Sequence, residues 1–286
     1  MKQLIVNADD LGADEARNSG IFDAIRAGAV TSVSLLANGA AFEDAVRGIW
    51  SLDRYRFSIG IHLNLSEGTP LSPGLKILTG PKGHFWGKEA ARRLLVCDAD
   101  SDLTEEIRRE LSAQISVLNN TGFRIDHLDG HQHVHIFPSV IRLALDAADA
   151  HAIPWIRIPE EPAMEFQTGS PSLQLLEEAQ MFSRHAAAAR HLLSEFRVTA
   201  IQNFRGLYMK GNLPLSSWAA SLESLPDGIT EFMVHPGRAA NSASGPFSGF
   251  STPDREKELE SLTDGHFQQA LLKAEVELIS FPEAPL

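Results

Sequence analysis

Two rhythms of apolar and polar residues alternate along the chain, and each rhythm predicts one kind of element. Short runs rich in Leu, Ile and Val indicate buried strands, whereas apolar residues that recur every three or four positions indicate amphipathic helices. Strands are predicted at 4–8, 29–37, 57–65, 124–128, 155–158, 198–203 and 229–234. Helices are predicted at 14–28, 42–50, 104–120, 138–150, 179–196, 215–225 and 255–279.

Seven strand-then-helix units therefore follow one another without a domain break. This order predicts an α/β fold, a single-domain TIM-like (β/α) barrel with about seven parallel strands that spans residues 1–286. The alternative is an open, doubly wound sheet. No Gly-x-Gly-x-x-Gly motif follows the first strand, which weakens a dinucleotide-binding interpretation.

Three segments interrupt the alternation, at about 66–103, 160–180 and 236–253. They are rich in Gly, Pro or Ser, and each follows a predicted strand. In a barrel they would lie on the rim formed by the carboxyl ends of the strands, where substrate-binding loops belong. The alternative is that they are ordinary surface loops.

Composition narrows the classes of protein and of site. The chain is 43% hydrophobic and 22% charged, which is typical of a globular protein, and its net charge of −12 argues against a nucleic-acid partner. A single cysteine, Cys97, excludes an internal disulfide and a Cys-based zinc site. Any metal must therefore be held by His, Asp or Glu. Cys97 itself is expected to be a small buried residue.

The distribution of apolar residues also bears on location. No stretch reaches the roughly 18 consecutive apolar residues of a membrane span. The first six residues run directly into polar Asn7 and the acidic pair Asp9-Asp10, without the apolar segment of a signal peptide. The sequence therefore predicts a cytoplasmic protein with no membrane span.

Ionisable residues collect where the predicted strands end. Asp9 and Asp10 end the first strand, and His62 lies near the end of the third. The others are Asp129, His131, His133 and His135 after the fourth strand, Arg157 at the end of the fifth and His235 at the end of the seventh. Because the carboxyl ends of parallel strands converge on one face of a barrel, we expect these side chains to form one site. For any single residue, such as His62, a place in the core is the alternative.

Asp9 and Asp10 are adjacent carboxylates after a buried strand. Burying both is costly unless a cation is present, because like charges repel and desolvation is expensive. One carboxylate can bind a metal while the other accepts a proton from a water on that metal. The alternative is that one of them caps the helix that begins near Asp14.

The richest segment of the chain is 126–135. In an extended chain its odd-numbered residues share one face, and these are His127, Asp129, His131, His133 and His135, unless Gly130 breaks the register. Two imidazoles and a carboxylate with one open position suit a catalytic divalent metal. The spacing does not select the histidines that would act as ligands, and a His-rich segment without metal is the alternative.

The chain resembles the YdjC-like carbohydrate deacetylases, which include chitooligosaccharide deacetylases and hopanoid-biosynthesis deacetylases. Five motifs, in family order and spread over most of the chain, carry the resemblance. They are Asn7-Ala8-Asp9-Asp10-Leu11-Gly12, Gly60-Ile61-His62-Leu63, His127-Leu128-Asp129-Gly130-His131-Gln132-His133-Val134-His135, Arg157-Ile158-Pro159 and His235-Pro236-Gly237. Asp129-Gly130 and Gln132 depart from the residues that relatives often carry, but neither change removes a proposed ligand.

The resemblance implies a seven-unit barrel that removes N-acetyl groups from amino sugars and releases acetate. It implies Asp10, His62 and His131 as ligands of one divalent ion, magnesium or zinc, with Asp9 as the catalytic base and His235 as the acid. Arg157 resembles the arginine that orients the base in the wider NodB-type polysaccharide deacetylases. The implied partners are a small N-acetylated sugar and a second copy of the chain in a homodimer, with no nucleic acid.

Two other functions stay open at this point. A non-catalytic carbohydrate- or metal-binding barrel would be favoured if the proposed base were missing, but Asp9 is present. A metal-dependent sugar isomerase typically places several carboxylates around one or two metals, whereas the strand ends of this chain favour His over Glu.

Four aromatic residues of the first and third insertions are candidates for stacking on sugar rings, because aromatic faces offer large contact area at low entropic cost. They are Phe85, Trp86, Phe247 and Phe250. The alternative is that they are buried as local core.

Overall fold

The computed structural model describes residues 1–162, 172–209, 215–239, 246–247 and 251–282. Phe250, together with parts of the insertions predicted at 160–180 and 236–253, lies outside these ranges.

The described ranges contain eight strands in one sheet, and all strand pairings are parallel. The strands are β1 (Lys2–Leu11), β2 (Ser32–Leu35), β3 (Ser58–Leu63), β4 (His127–Gly130), β5 (Trp155–Ile156), β6 (Asn203–Arg205), β7 (Gly228–Val234) and β8 (Val276–Leu278). Seven follow the order β5-β4-β3-β2-β1-β7-β6, and one parallel bridge, Trp155–Thr199, joins the segment before β6 to β5. The prediction of a TIM-like barrel with seven parallel strands is confirmed.

Nine helices of the described ranges surround the sheet. They are α1 (Glu15–Arg26), α2 (Phe42–Trp50), α3 (Lys88–Leu95), α4 (Ser101–Asn119), α5 (Ile141–Ala150), α6 (Leu173–Arg190), α7 (Leu215–Glu223), α8 (Pro253–Thr263) and α9 (Gly265–Lys273). In α4 the apolar residues recur at helical spacing, so Ile107, Leu111 and Ile115 are all buried in the main core. The helix begins one turn before the predicted start, because the Asp100 side chain accepts a hydrogen bond from the Leu103 N–H.

The strand β1 is the centre of the sheet. It pairs with β7 along Lys2–Ala8, with β8 at its first residues and with β2 at its last. Leu4 to Ala8 is buried on both faces, as expected for a strand covered by helices on one side and by barrel interior on the other. This position gives Asp9 and Asp10 a fixed backbone at the carboxyl end of the sheet.

The C-terminal region corrects the predicted helix over 255–279. Asp264 is extended and caps α9 by accepting a hydrogen bond from His266 N–H, which divides the region into two helices. Glu275 then has a left-handed backbone (φ 53°), and Val276–Leu278 pairs with Lys2–Leu4 as β8. The free edge at the start of β1, before β2 begins to pair, provides the partner for this strand.

Two smaller features of the first insertion also differ from expectation. The segment predicted at 66–103 contains the helix α3, and Cys97, expected to be buried, lies exposed just after that helix. The fully buried residues of α3 are Ala91 and Leu95, and Cys97 lies two residues beyond the end of the helix. Among the helices in the described ranges, none combines the length and the apolar character required to cross a membrane.

Candidate active site

A pocket opens at the carboxyl ends of the strands, and five of the six candidate residues line it. Its lining residues are Asp9, Asp10, His62, His131, Gln132, His133, Met233, His235 and Arg255. The sixth candidate, Arg157, is fully buried behind Asp9. Strand register contributes directly to this convergence, since His62 on β3 is paired with Asp129 on β4.

Asp9 and Asp10 face different partners because β1 is irregular where it ends. The register with β2 shifts between Ala8 and Leu11, and Asp10 has a left-handed backbone (φ 66°). Such an irregularity re-aims successive side chains, and Asp tolerates the left-handed region better than most residues. The helix α1 is capped by Asp14, whose Oδ1 accepts from Arg17 N at 2.7 Å, so neither Asp9 nor Asp10 serves as the cap.

Asp10 lies at the centre of a group of three potential ligands. Its Oδ1 is 2.7 Å from His131 Nδ1 and 3.3 Å from His62 Nε2, and one potential ligand atom of each residue lies within 4.8 Å of the others. Its second oxygen, Oδ2, accepts from Arg17 Nη1 at 2.7 Å. Burial alone would raise the pKa of Asp10, but His131, His62 and Arg17 together hold it well below its usual value.

The same surroundings act on the two imidazoles in the opposite direction. Burial lowers the pKa of His62, but Asp129, Asp9 and Asp10 outweigh it and raise the pKa to about 10. Burial also lowers the pKa of His131, and Asp10 and Glu67 raise it above its usual value. Without metal, the buried carboxylates thus favour the protonated, positively charged form of both rings.

Asp9 is held by a guanidinium. Arg157 Nη1 donates to Asp9 Oδ2 and Nη2 to Oδ1, both at 2.7 Å, and Asn7 Nδ2 donates to Oδ1 at 2.8 Å. The bidentate contact fixes the plane of the carboxylate. Among the described residues, Oδ2 accepts a hydrogen bond from Arg157 alone, and His235 Nε2 lies 4.0 Å from it.

Arg157 also contacts two further buried carboxylates. Its Nε donates to Glu231 Oε1 at 2.7 Å, and its Nη2 lies 2.8 Å from Asp129 Oδ2. Burial opposes the charged form of Arg157, but Asp129, Asp9 and Glu231 raise its pKa well above the usual value. Burial raises the pKa of Glu231 to about 7, although Arg157 works against that shift.

Asp129 joins this carboxylate–guanidinium group to His62. Its Oδ1 is 2.7 Å from His62 Nδ1, and its Oδ2 accepts from Ser34 Oγ at 2.7 Å. Burial raises the pKa of Asp129, but Arg157 and His62 overcome that and hold it well below its usual value. A carboxylate bound to the outer nitrogen of a metal-binding histidine orients the ring, and Asp129 is placed to do so for His62.

His235 approaches the pocket from the end of β7, next to β1. Its backbone N–H donates to Glu258 Oε1 at 2.6 Å, which ties the end of β7 to α8. Its side chain is mostly buried and faces Asp9 Oδ2. An imidazole and a carboxylate thus face the same pocket.

The prediction that His127, Asp129, His131, His133 and His135 share one face is wrong. The strand β4 ends at Gly130, and Gln132 and His133 have left-handed backbones (φ 52° and 55°), so the alternation of an extended chain stops there. His133 packs against Phe182, with ring centroids 4.7 Å apart.

The remaining two histidines lie below the pocket. His135 Nε2 donates to Arg157 O at 2.9 Å, and burial lowers the pKa of His135 to about 4. His127 stacks on Phe281, and burial lowers the pKa of His127 to about 3. A Cβ at Gly60 would lie 2.2 Å from His127 Nε2, so the neighbouring strand must carry glycine at that position.

The residues of the three-ligand group fit a divalent cation. One carboxylate oxygen and two imidazole nitrogens suit zinc, manganese or cobalt, and the pocket leaves room for a water molecule. A second group of potential ligands, Asp9, His62 and Asp129, shares His62 with the first. Arg157 occupies oxygens of both carboxylates in that second group, which favours the group that contains Asp10.

Sequence reasoning missed several residues that contact the candidates. Glu231 had a visible signal, because a charged residue in the buried strand Ile229–Val234 needs a partner. Asn7 and Ser34, which bond to each other at 2.8 Å, are polar residues in buried strands and gave the same signal more weakly. Glu67, 2.8 Å from His131 Nε2, had none, because it lies in a segment without periodic pattern.

The aromatic candidates for sugar stacking differ in how far their rings are exposed. Phe85 and Phe247 are 6% and 2% exposed, and Phe247 packs edge-on against the His131 ring. Trp86 is 47% exposed, and its Nε1 donates to Ile77 O at 2.7 Å. Phe250 lies outside the described residues. Of the three described candidates, only Trp86 has an exposed ring surface.

Comparisons with known proteins cover nearly the whole chain. The family model described as YdjC-like protein matches residues 3–273. A carbohydrate deacetylase of Mus musculus is 35% identical over 283 residues, which is 91% of this chain and 88% of the relative. A carbohydrate deacetylase of Brevibacillus brevis is 30% identical over 98% of this chain and 99% of the relative. A solved structure from Enterococcus faecalis, named as a candidate cellobiose-phosphate cleavage protein, has the same fold. Its TM-score is 0.77 at 23% identity, covering 98% of this chain and 97% of the other.

Proposed function

Because this chain belongs to the family of YdjC-like proteins, we propose that it is a metal-dependent hydrolase that removes N-acetyl groups from amino sugars or their oligosaccharides and releases acetate. The observation that carries the proposal is the placement of two neighbouring carboxylates in one pocket. Asp10 belongs to the three-ligand group, and Asp9 is fixed by Arg157 with one oxygen turned to His235.

Asp10, His62 and His131 would hold one divalent ion. When bound, such an ion supplies Lewis acidity toward the amide carbonyl and acidifies water. An amide is a poor electrophile with a poor leaving group, so the reaction also needs a proton acceptor for the attacking water and a proton donor for the amine. The chain provides both beside the ligand group.

Asp9 is the proton acceptor in this mechanism, and Oδ2 is the atom that receives the proton. Oδ1 already accepts from Arg157 and Asn7, whereas Oδ2 has one donor and faces the pocket side that holds His235. Arg157 keeps the carboxylate plane fixed, which spares the reaction the entropic cost of orienting the base. His235 then gives a proton to the departing amine.

Trp86 supplies a surface for the sugar. Its indole N–H is already bonded to a backbone carbonyl, and the ring stands partly exposed on a rim segment whose backbone is joined to Ser66–Gly68 by bonds from Phe85 and Gly87. An aromatic face of this kind packs against the C–H side of a pyranose ring. We assign it to a sugar unit next to the one that is deacetylated.

The experiment that tests the function measures acetate release from N-acetylglucosamine and its oligomers. Metal-free protein is reconstituted separately with zinc, cobalt, manganese and magnesium, and each product is examined by mass spectrometry for the loss of one acetyl group. We expect release with at least one metal and none after chelation. A protein that binds divalent metal but releases acetate from no N-acetylated sugar contradicts the proposal.

A further inference from the structure

The two imidazoles of the three-ligand group have matching surroundings. Each ring directs one nitrogen toward Asp10 Oδ1, namely His62 Nε2 at 3.3 Å and His131 Nδ1 at 2.7 Å. Each ring directs its other nitrogen toward a second carboxylate. For His62 this is Asp129 Oδ1 at 2.7 Å, and for His131 it is Glu67 Oε2 at 2.8 Å.

A carboxylate accepts hydrogen bonds and donates none when ionised, so the nitrogen that faces it must carry the proton. Both nitrogens of His131 face carboxylates, Nδ1 toward Asp10 and Nε2 toward Glu67, so Glu67 would keep the N–H on Nε2 when Nδ1 gives up its proton to bind an ion. Outer carboxylates of this kind fix the tautomer and orientation of a metal-binding histidine and strengthen it as a ligand.

The two carboxylates come from different parts of the fold. Asp129 is a fully buried residue of β4, where the sheet holds its backbone. Glu67 belongs to the rim segment after β3, and its side chain is 14% exposed. A surface ion pair would be worth little, but here the imidazole partner is buried, so solvent screens the contact much less.

The backbone around Glu67 is built to keep this carboxylate in place. Asn64, which is fully buried, accepts from Glu67 N at 3.1 Å and donates to Glu67 O at 2.8 Å. Asn38 Nδ2 donates to the same carbonyl at 3.2 Å. Gln114 of α4 in turn bonds both backbone groups of Asn64, at 2.9 and 2.7 Å. The rim segment is therefore anchored to the sheet and to α4 at the residue that contacts His131.

We propose that Glu67 is a positioning residue of the metal centre, which holds His131 with Nδ1 toward the ion as Asp129 holds His62. The proposal rests on the proposed function, because it assumes that Asp10, His62 and His131 bind a divalent ion. It adds a requirement that the ligand set alone does not contain, namely that the rim segment after β3 contributes to metal affinity.

The test compares metal binding by the wild-type protein, Glu67→Gln and Glu67→Ala. The dissociation constants for zinc and cobalt are measured by competition with a chromophoric chelator, and the melting temperature is measured without metal. We expect Glu67→Ala to bind each metal about 10–100-fold more weakly. Glu67→Gln is expected to recover part of the loss, because its amide oxygen still accepts from Nε2. The metal-free melting temperature should fall by only a few degrees, because one contact of a buried imidazole is lost while the fold is kept.

Glu105→Ala serves as the matched control, since Glu105 is an exposed carboxylate on α4 and is expected to leave both dissociation constants unchanged. Equal metal affinities for the wild type and Glu67→Ala would overturn the role of Glu67 while leaving the proposed function intact. A lower coordination number of bound cobalt in Glu67→Ala than in the wild type, read from the intensity of the visible bands, would make Glu67 a ligand and overturn its positioning role. A wild-type protein that binds no divalent metal would overturn the metal-dependent function and this proposal together.

Discussion

Asp9 and Asp10 are neighbours in the chain, yet their surroundings differ in kind. Asp9 faces a guanidinium, with Arg157 bonded to both of its oxygens. Asp10 faces two imidazoles through one oxygen and Arg17 through the other. A guanidinium keeps its proton at any ordinary pH, whereas an imidazole can give up its proton and bind a metal instead. The residues that contact each carboxylate therefore decide which one suits a cation: the imidazoles beside Asp10 can bind a metal, whereas the guanidinium beside Asp9 cannot.

The surroundings of Asp9 and of Asp10 are nevertheless connected by direct contacts. His62 belongs to both, since one nitrogen faces Asp10 and the other faces Asp129, which Arg157 also contacts. Metal bound on the Asp10 side would therefore be coupled to the position of Arg157 through two direct contacts.

Removal of an imidazole ligand should abolish the reaction. In His62→Ala or His131→Ala, two candidate ligands remain, which are too few to hold the ion firmly. We expect stoichiometric metal to be lost and acetate release to fall to the uncatalysed background. Metal content is measured by elemental analysis after gel filtration, with His151→Ala, an exposed histidine at the end of α5, as the control. Full metal content in either ligand variant would remove that residue from the metal centre.

Loss of the proton acceptor should cost less than loss of the metal. Asp9→Asn keeps the size of the side chain and removes the proton acceptor, so the rate should fall by about 10²–10⁴-fold. The metal should remain bound, because the ligand group of Asp10, His62 and His131 is unchanged. The Michaelis constant should change little, since the substrate is bound by other groups. A near-normal kcat in this variant would show that another group accepts the proton.

Replacement of the guanidinium should cost less again. Arg157→Lys keeps a positive charge but cannot bond both Asp9 oxygens and Glu231 at once. We expect kcat to fall by about 10²-fold, the typical result of a small misplacement of a catalytic group, and metal affinity to fall by a smaller factor because Arg157 also contacts Asp129. Arg142→Lys, in an exposed ion pair with Glu195, is the control. An unchanged kcat in Arg157→Lys would mean that orientation of Asp9 needs no bidentate contact.

The smallest effect is expected at the rim. Trp86→Ala removes an aromatic face without touching the pocket residues, so the Michaelis constant should rise about threefold to tenfold for oligosaccharides, from stacking worth about 0.5–1.5 kcal/mol. The monosaccharide should be affected less, and kcat should be preserved. Trp50→Ala, an exposed tryptophan of α2 that packs on Phe123, is the control. Equal Michaelis constants for Trp86→Ala and the wild type on every active substrate would exclude stacking.

The sequence predicted the fold and the location of the site because both follow from local pattern plus one rule of parallel sheets. Asp9, His62, His131 and His235 were found because each follows a buried apolar run, and such ends converge. The strand β8 was missed because its partner is the start of β1, more than 270 residues earlier, and a three-residue strand has almost no pattern of its own.

The finer geometry could not be predicted, because it depends on backbone angles that residue type does not specify. His133 was placed beside His131 on the assumption of an extended chain, and the left-handed residues Gln132 and His133 break that chain. Glu67 reaches His131 across 64 positions from a segment held by Asn64, and no periodicity connects them. The roles of the site residues stay predictions, although the structure brings the residues together.

The most direct test of the different roles of Asp9 and Asp10 is the metal content of Asp9→Asn and Asp10→Asn, purified side by side and loaded with the same metal. We predict that Asp9→Asn retains about one ion per chain and loses about 10²–10⁴-fold in rate, whereas Asp10→Asn loses the ion because a neutral amide is a poorer ligand than a carboxylate. Metal lost from Asp9→Asn and retained by Asp10→Asn would reverse the two roles. Full metal content and near-normal activity in both variants would contradict the mechanism.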